Sequence, residues 1–111
     1  FSPSLPNLGT PPAGGTSFLS PDLTTGTTVS KSGYMVTMSS SSGAATDTPA
    51  SCNGLAAGSV MQGFNATATP SPGGGTRAFG TNTAGTIYSA TQQTALAMTD
   101  TTAPAGSTTI Q

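Results

Sequence analysis

The chain has 111 residues and a formal net charge of −1, carried by only five charged side chains, Asp22, Lys31, Asp47, Arg77 and Asp100, with no His. The length allows one domain. Two isolated cations cannot form the clustered basic patch that phosphate binding or a polybasic membrane anchor needs. Three scattered carboxylates without His leave no base to activate a Ser, Thr or Cys nucleophile. Nucleic-acid binding, electrostatic membrane anchoring and catalysis are therefore set aside.

Ser and Thr supply 37 residues, whereas Leu, Ile, Val and Phe together supply 15. The surface is expected to be hydroxylated and almost uncharged, suited to packing against copies of itself. The apolar residues are too few to offset the backbone ordering entropy of about 1–2 kcal/mol per residue with margin. A thin core of this kind predicts dependence on a partner's apolar surface. No run is long and apolar enough to cross a membrane as a helix. Phe1 is not an initiator Met, so removal of an export signal is expected. Cys52 is the only Cys; it has no intramolecular partner, and with no His neither a zinc nor a haem site is expected.

Residues 1–18 contain Pro3, Pro6, Pro11 and Pro12 together with Gly9, Gly14 and Gly15. No regular element is expected there. The segment reads as an extended arm whose fixed φ values lower the entropy cost of lying along another surface, with Phe1, Leu5, Leu8, Phe18 and Leu19 as docking anchors. Residues 19–111 form the body. Ser20-Pro21-Asp22-Leu23 reads as a short helical turn capped by Ser20, with Gly26 as its stop. In Tyr34–Met38, alternation sets Tyr34, Val36 and Met38 against Met35 and Thr37, the pattern of a half-buried strand.

The Ser-, Gly- and Ala-rich stretch 39–58 is too long for a hairpin and reads as a functional or assembly loop. Phe64, Ala66 and Ala68 alternate with Asn65, Thr67 and Thr69 until Pro70 ends the strand. A Pro72-Gly73-Gly74-Gly75 turn leads to Arg77-Ala78-Phe79, and a turn at Asn82–Gly85, with Gly85 at positive φ, returns the chain into Thr86–Ser89. The last twenty residues are weakly patterned, with Leu96, Met98 and Ile110 as contacts and a possible edge strand.

The predicted architecture is mostly β: an antiparallel sheet of about four strands with long loops and little helix. Tyr34, Val36, Phe64, Phe79, Ile87 and Tyr88 are its predicted core. The Gly-rich run before Arg77 lacks the spacing, Lys and helix of a phosphate-binding loop. Arg77 is read either as a solvated side chain or as a bridge to a carboxylate or terminal carbonyls of a neighbouring chain, with Asp47 and Asp100 as partners within the chain. Asn65-Ala66-Thr67 matches an N-glycosylation triplet but falls inside a predicted strand. Thr10-Pro11 and Thr48-Pro49 are better settings for O-glycosylation.

Several of these pieces stand in a particular order: Lys31-Ser32-Gly33-Tyr34, the Cys52-Asn53-Gly54 loop, the strand ending in Thr69-Pro70, and Gly75-Thr76-Arg77-Ala78-Phe79 followed by Gly85-Thr86-Ile87-Tyr88. From about Leu19 to Tyr88 the chain resembles the globular C-terminal part of bacterial type IV pilins and pseudopilins. Those proteins carry a long hydrophobic N-terminal helix that forms the filament core, whereas this chain opens on Phe-Ser-Pro. The resemblance therefore implies a split pilin, as in the two-chain pilins of Geobacter-like bacteria, with this chain as an extracellular head on a separate short hydrophobic helical chain. No cofactor is implied. The alternatives are a secretion-system pseudopilin acting in the periplasm and an adhesin or carbohydrate-binding surface module.

Overall fold

The computed structural model describes residues 1–110. Six strands form a single antiparallel meander, β1 (Thr28–Lys31), β2 (Tyr34–Ser39), β3 (Asn65–Pro70), β4 (Ala78–Asn82), β5 (Ile87–Ala90) and β6 (Thr108–Thr109), paired in chain order. The four expected strands are β2 to β5, and β6 is the edge strand near the C-terminus. The additional strand is β1. Val29, its single large apolar residue, pairs with Val36 and is buried, so tertiary pairing makes a strand of a run with little pattern of its own.

A two-residue turn joins β1 to β2, with φ of 52° at Ser32 and 81° at Gly33. Positive φ at both centres matches the right-handed twist of the flanking strands. Gly33 also meets the β3–β4 loop: Ser71 N–H donates to the Gly33 carbonyl at 2.8 Å, and a Cβ at Gly74 would lie 2.1 Å from that oxygen. Gly74→Ala is accordingly expected to push the two loops apart and cost about 1–3 kcal/mol, the range of other overpacked sites. Urea unfolding measures it, and an unchanged midpoint would show that the loops separate freely. Gly85 closes the β4–β5 turn at φ 74°, donating its N–H to the Asn82 carbonyl at 2.9 Å.

Cross-strand partners share a face, so the register sorts the side chains. One face, the front, carries Val29, Tyr34, Val36, Met38, Ala66, Ala68, Phe79, Thr81 and Ile87. The back face carries Thr37, Asn65, Thr67, Ala78, Gly80, Asn82, Tyr88 and Ala90. Segment 91–105 covers the back of β4 and β5, where Leu96 joins Ala78 and Tyr88 in the small buried core and Met98 and Ala90 pack against it. Gly80 makes room for this layer, since a Cβ there would lie 2.6 Å from Met98 Sδ.

Asp100 fixes the same segment. Its carboxylate is 1% exposed and accepts from Ser40 Oγ (3.0 Å), the backbone N–H groups of Ser41 (3.0 Å) and Ser42 (2.9 Å), Ser42 Oγ (2.6 Å) and Asn65 Nδ2 (2.7 Å). Burial alone raises the carboxyl pKa. The hydrogen bonds from Ser42, Asn65, Ser41 and Ser40 together outweigh that and hold it well below the usual carboxylate range. Asn65, buried and engaged here, is poorly placed for glycosylation.

Residues 1–18 are packed onto the body rather than extended throughout. One helical turn, α1 (Leu5–Gly9), interrupts the arm. Pro6 is tolerated because it lies in the first turn, where its missing N–H has no helical partner to lose, and burial of Leu5 holds the turn in place. Phe1 pairs with Met61 through both backbone directions, and Phe18 N–H donates to the Leu8 carbonyl. The expected turn at Pro21–Leu23 is a 3₁₀ turn that ends at Thr24, before Gly26. Beside it, Asp22 pairs with Lys31 at 2.5 Å; this hydrogen bond, with a second from Ser20, lowers the Asp22 pKa. The long 39–58 connection folds back on residues 60–62 through an Ala44–Met61 bridge and the Ala45 N–H to Val60 carbonyl bond.

Candidate functional site

A sheet with one apolar face must bury it against another layer. The front face does so over only part of its area. At the β1–β2 side the arm covers it, and Phe1, Leu5, Leu8, Leu19, Met38, Phe64 and Ala66 line a depression of about 340 Å³. Toward β4 and β5, Ala66, Ala68, Phe79, Gly80, Thr81 and Ile87 line an open depression of about 150 Å³ that the arm does not reach. Ala66 lines both, so the two apolar depressions adjoin at β3 and are together called the groove. A third hollow, of about 220 Å³, shares Phe1 and Leu8 with the first and continues to Phe18, Leu55 and Val60.

The groove's shape follows from side-chain size along the strands. β2 presents Tyr34, Val36 and Met38, β4 and β5 present Phe79, Thr81 and Ile87, and β3 between them presents Ala66 and Ala68 before Pro70, the register partner of Tyr34. Two ridges flank a floor of methyl groups. The trough lies over Ala66 and Ala68, bounded at one end by Phe64, whose ring packs on Phe1 with centroids 5.2 Å apart, and at the other by the Tyr34 and Phe79 rings, which meet across β3.

This openness corrects the predicted core. Tyr88 alone of the six residues is buried, and it lies on the back face. Tyr34, Val36, Phe64 and Phe79 are half-buried, and Ile87 is 38% exposed, because the face they share has no complete second layer. Phe79 is covered on one side by the Tyr34 ring, at a centroid distance of 5.9 Å and a tilt of 52°. Phe79→Ala is therefore expected to cost the isolated chain about 1–2 kcal/mol, below the roughly 3–5 kcal/mol of a fully buried Phe. Chemical denaturation reads this directly, and a loss at the upper value would mean the ring is enclosed in solution.

The arm anchors divide. Leu5 is 5% exposed and belongs to the chain's own interior rather than to a free docking surface; Leu8 and Leu19 are half-buried along the groove, and Phe1 and Phe18 are 52% and 57% exposed. Arg77 is exposed at the start of β4, and its Nη2 donates to Ser89 Oγ at 3.1 Å. Neither Asp47 nor Asp100 reaches it, the one ion pair among the described residues being Lys31–Asp22. Cys52 is exposed and unpaired.

Sequence reasoning did not single out Ala66 and Ala68 as site residues, although small residues at alternate positions of a strand between two bulkier ones are a legible sign of a trough. Comparison with known protein families, with curated proteins and with solved structures finds no match, so the groove's own geometry carries the functional argument.

Proposed function

We propose that this chain is a non-enzymatic structural subunit of an extracellular type IV pilus-like filament, the globular head that docks non-covalently on a separate short hydrophobic helical chain. The observation that carries this reading is the apolar front face of the sheet, whose period-two hydrophobic residues surround a depression left open over Ala66 and Ala68 of β3. An α-helix with side chains is about 10 Å across, and its apolar stripe suits a floor of small residues between two ridges. Docking would complete the second layer that the sheet lacks. The hydroxylated, nearly uncharged exterior then lets copies of the head lie side by side without like-charge repulsion.

The test is the composition of filaments sheared from the cell surface. This chain and a short, pilin-like helical polypeptide are expected in equal amounts, with the Ala66–Thr69 backbone more slowly exchanging in the assembly than in the isolated chain. A helix found in covalent continuity with Phe1 would replace the two-chain form by a single-chain pilin. A monomeric chain that binds glycan and is absent from filaments would overturn the reading in favour of a surface-binding module. Occurrence only in a periplasmic secretion assembly would favour the pseudopilin role.

A further inference from the structure

The helix-docking reading leaves the direction and register of the helix open, because an apolar trough is indifferent to sliding. One charged group breaks that indifference. The guanidinium of Arg77 lies over Ser89, a buried residue that is the register partner of Phe79, so it stands at the Phe79 end of the open groove. Its hydrogen bond to Ser89 Oγ uses one N–H and leaves most of a planar fork suited to a carboxylate. Among the described residues no carboxylate pairs with it. Asp22 is taken by Lys31, Asp100 is enclosed by hydroxyl and amide donors, and Asp47 makes no ion pair among the described residues. The groove itself is lined by side chains without a charge.

We infer that Arg77 is the register pin of the docking surface, receiving a carboxylate that the helix carries just beyond one end of its apolar stripe. This rests on the helix-docking reading. A rim charge paired across an interface fixes orientation and suppresses wrong registers more than it adds affinity, which is the task an otherwise featureless trough leaves undone. The occupant is thus an apolar helix with an acidic residue at one flank, not a uniformly apolar one.

Blocked helical peptides of about 20 residues, long enough to span the sheet, test this with the intact chain. All share one Leu stripe; one has Glu a turn beyond the N-terminal end of the stripe, one has Glu beyond the C-terminal end, and one has Gln at both places. Fluorescence anisotropy should show one Glu peptide binding about ten-fold more tightly than the Gln peptide, a factor equivalent to 1.4 kcal/mol. That advantage should vanish in Arg77→Gln and shrink in 1 M NaCl, where the screening length is about 3 Å. Unchanged affinity of Arg77→Gln for the Gln peptide would show that the variant is folded. Equal binding of all three peptides in the groove overturns the inference and leaves the docking reading standing. Failure of every peptide to bind overturns the docking reading and the inference with it.

Discussion

Asp100→Ala is expected to cost the fold about 3–5 kcal/mol, the range for removing one member of a buried charged network, and so to consume much of a small domain's 5–15 kcal/mol. The carboxylate ties three parts of the chain together: the Ser40–Ser42 turn after β2, Asn65 at the start of β3, and the 91–105 segment that covers the back of β4 and β5. Truncation strands Asn65 Nδ2 in a buried site and releases the layer that carries Leu96 and Met98. Asp100→Asn keeps the shape but turns an amide toward groups that are already donors, so it should recover little. The pH dependence has a definite sign. Because the folded-state pKa is depressed, the stabilisation is fully present above the unfolded value near 3.9 and is lost progressively as pH falls from there through the folded pKa. Urea midpoints should therefore be insensitive to Asp100 between pH 5 and 7 and fall below about pH 4 in the wild type, with a shallower fall in Asp100→Asn. Equal slopes in the two proteins would show that the carboxylate is not the group that titrates.

The strands most readily legible in the sequence are those whose alternation reports a sheet face directly. Tyr34, Val36 and Met38 oppose Met35 and Thr37 in β2, and Ala66 and Ala68 oppose Asn65, Thr67 and Thr69 in β3, as the period of two requires. The positive φ at Gly85 was equally legible from the turn chemistry of Asn82–Gly85. Illegible features depended on distant residues. β1 has one large apolar side chain and becomes a strand by pairing with β2. The helical turn at Leu5–Gly9 forms within a Pro- and Gly-rich arm because the body gives Leu5 a place to be buried. Four consecutive serines look like an unstructured tract, yet Ser40, Ser41 and Ser42 assemble around an aspartate some 60 positions away. A lone Asp in a chain so poor in charge was the available sign. Burial was misjudged for one reason: alternation says which residues share a face but not whether anything covers that face, and Ile87 and Phe79 sit where the cover is missing.

Ala68→Leu is expected to leave the isolated chain folded and to weaken docking of the proposed helix. The two outcomes separate because of where the Ala68 methyl lies. It lines the open, roughly 150 Å³ depression between Val36 on β2 and Phe79 on β4, on the part of the front face that the arm leaves open. A Leu side chain there extends into solvent-accessible space, so the free chain's unfolding midpoint should stay within about 0.5 kcal/mol of wild type, as for most surface changes. In the proposed docked state the same side chain stands where the helix would set its apolar stripe. Overpacking of about 1–3 kcal/mol at one such position corresponds to roughly a five- to hundred-fold loss of affinity, and Ala66→Leu added in the same trough should compound it. The measurements are the amount of the chain in sheared surface filaments relative to total cell content, and the thermal midpoint of the purified variant. Loss from the filaments with an unchanged midpoint places the interface on the front face of the sheet. Wild-type incorporation of the doubly substituted chain would mean that the helix, if one binds, lies elsewhere, and that the open face along β3 is not the seat of assembly.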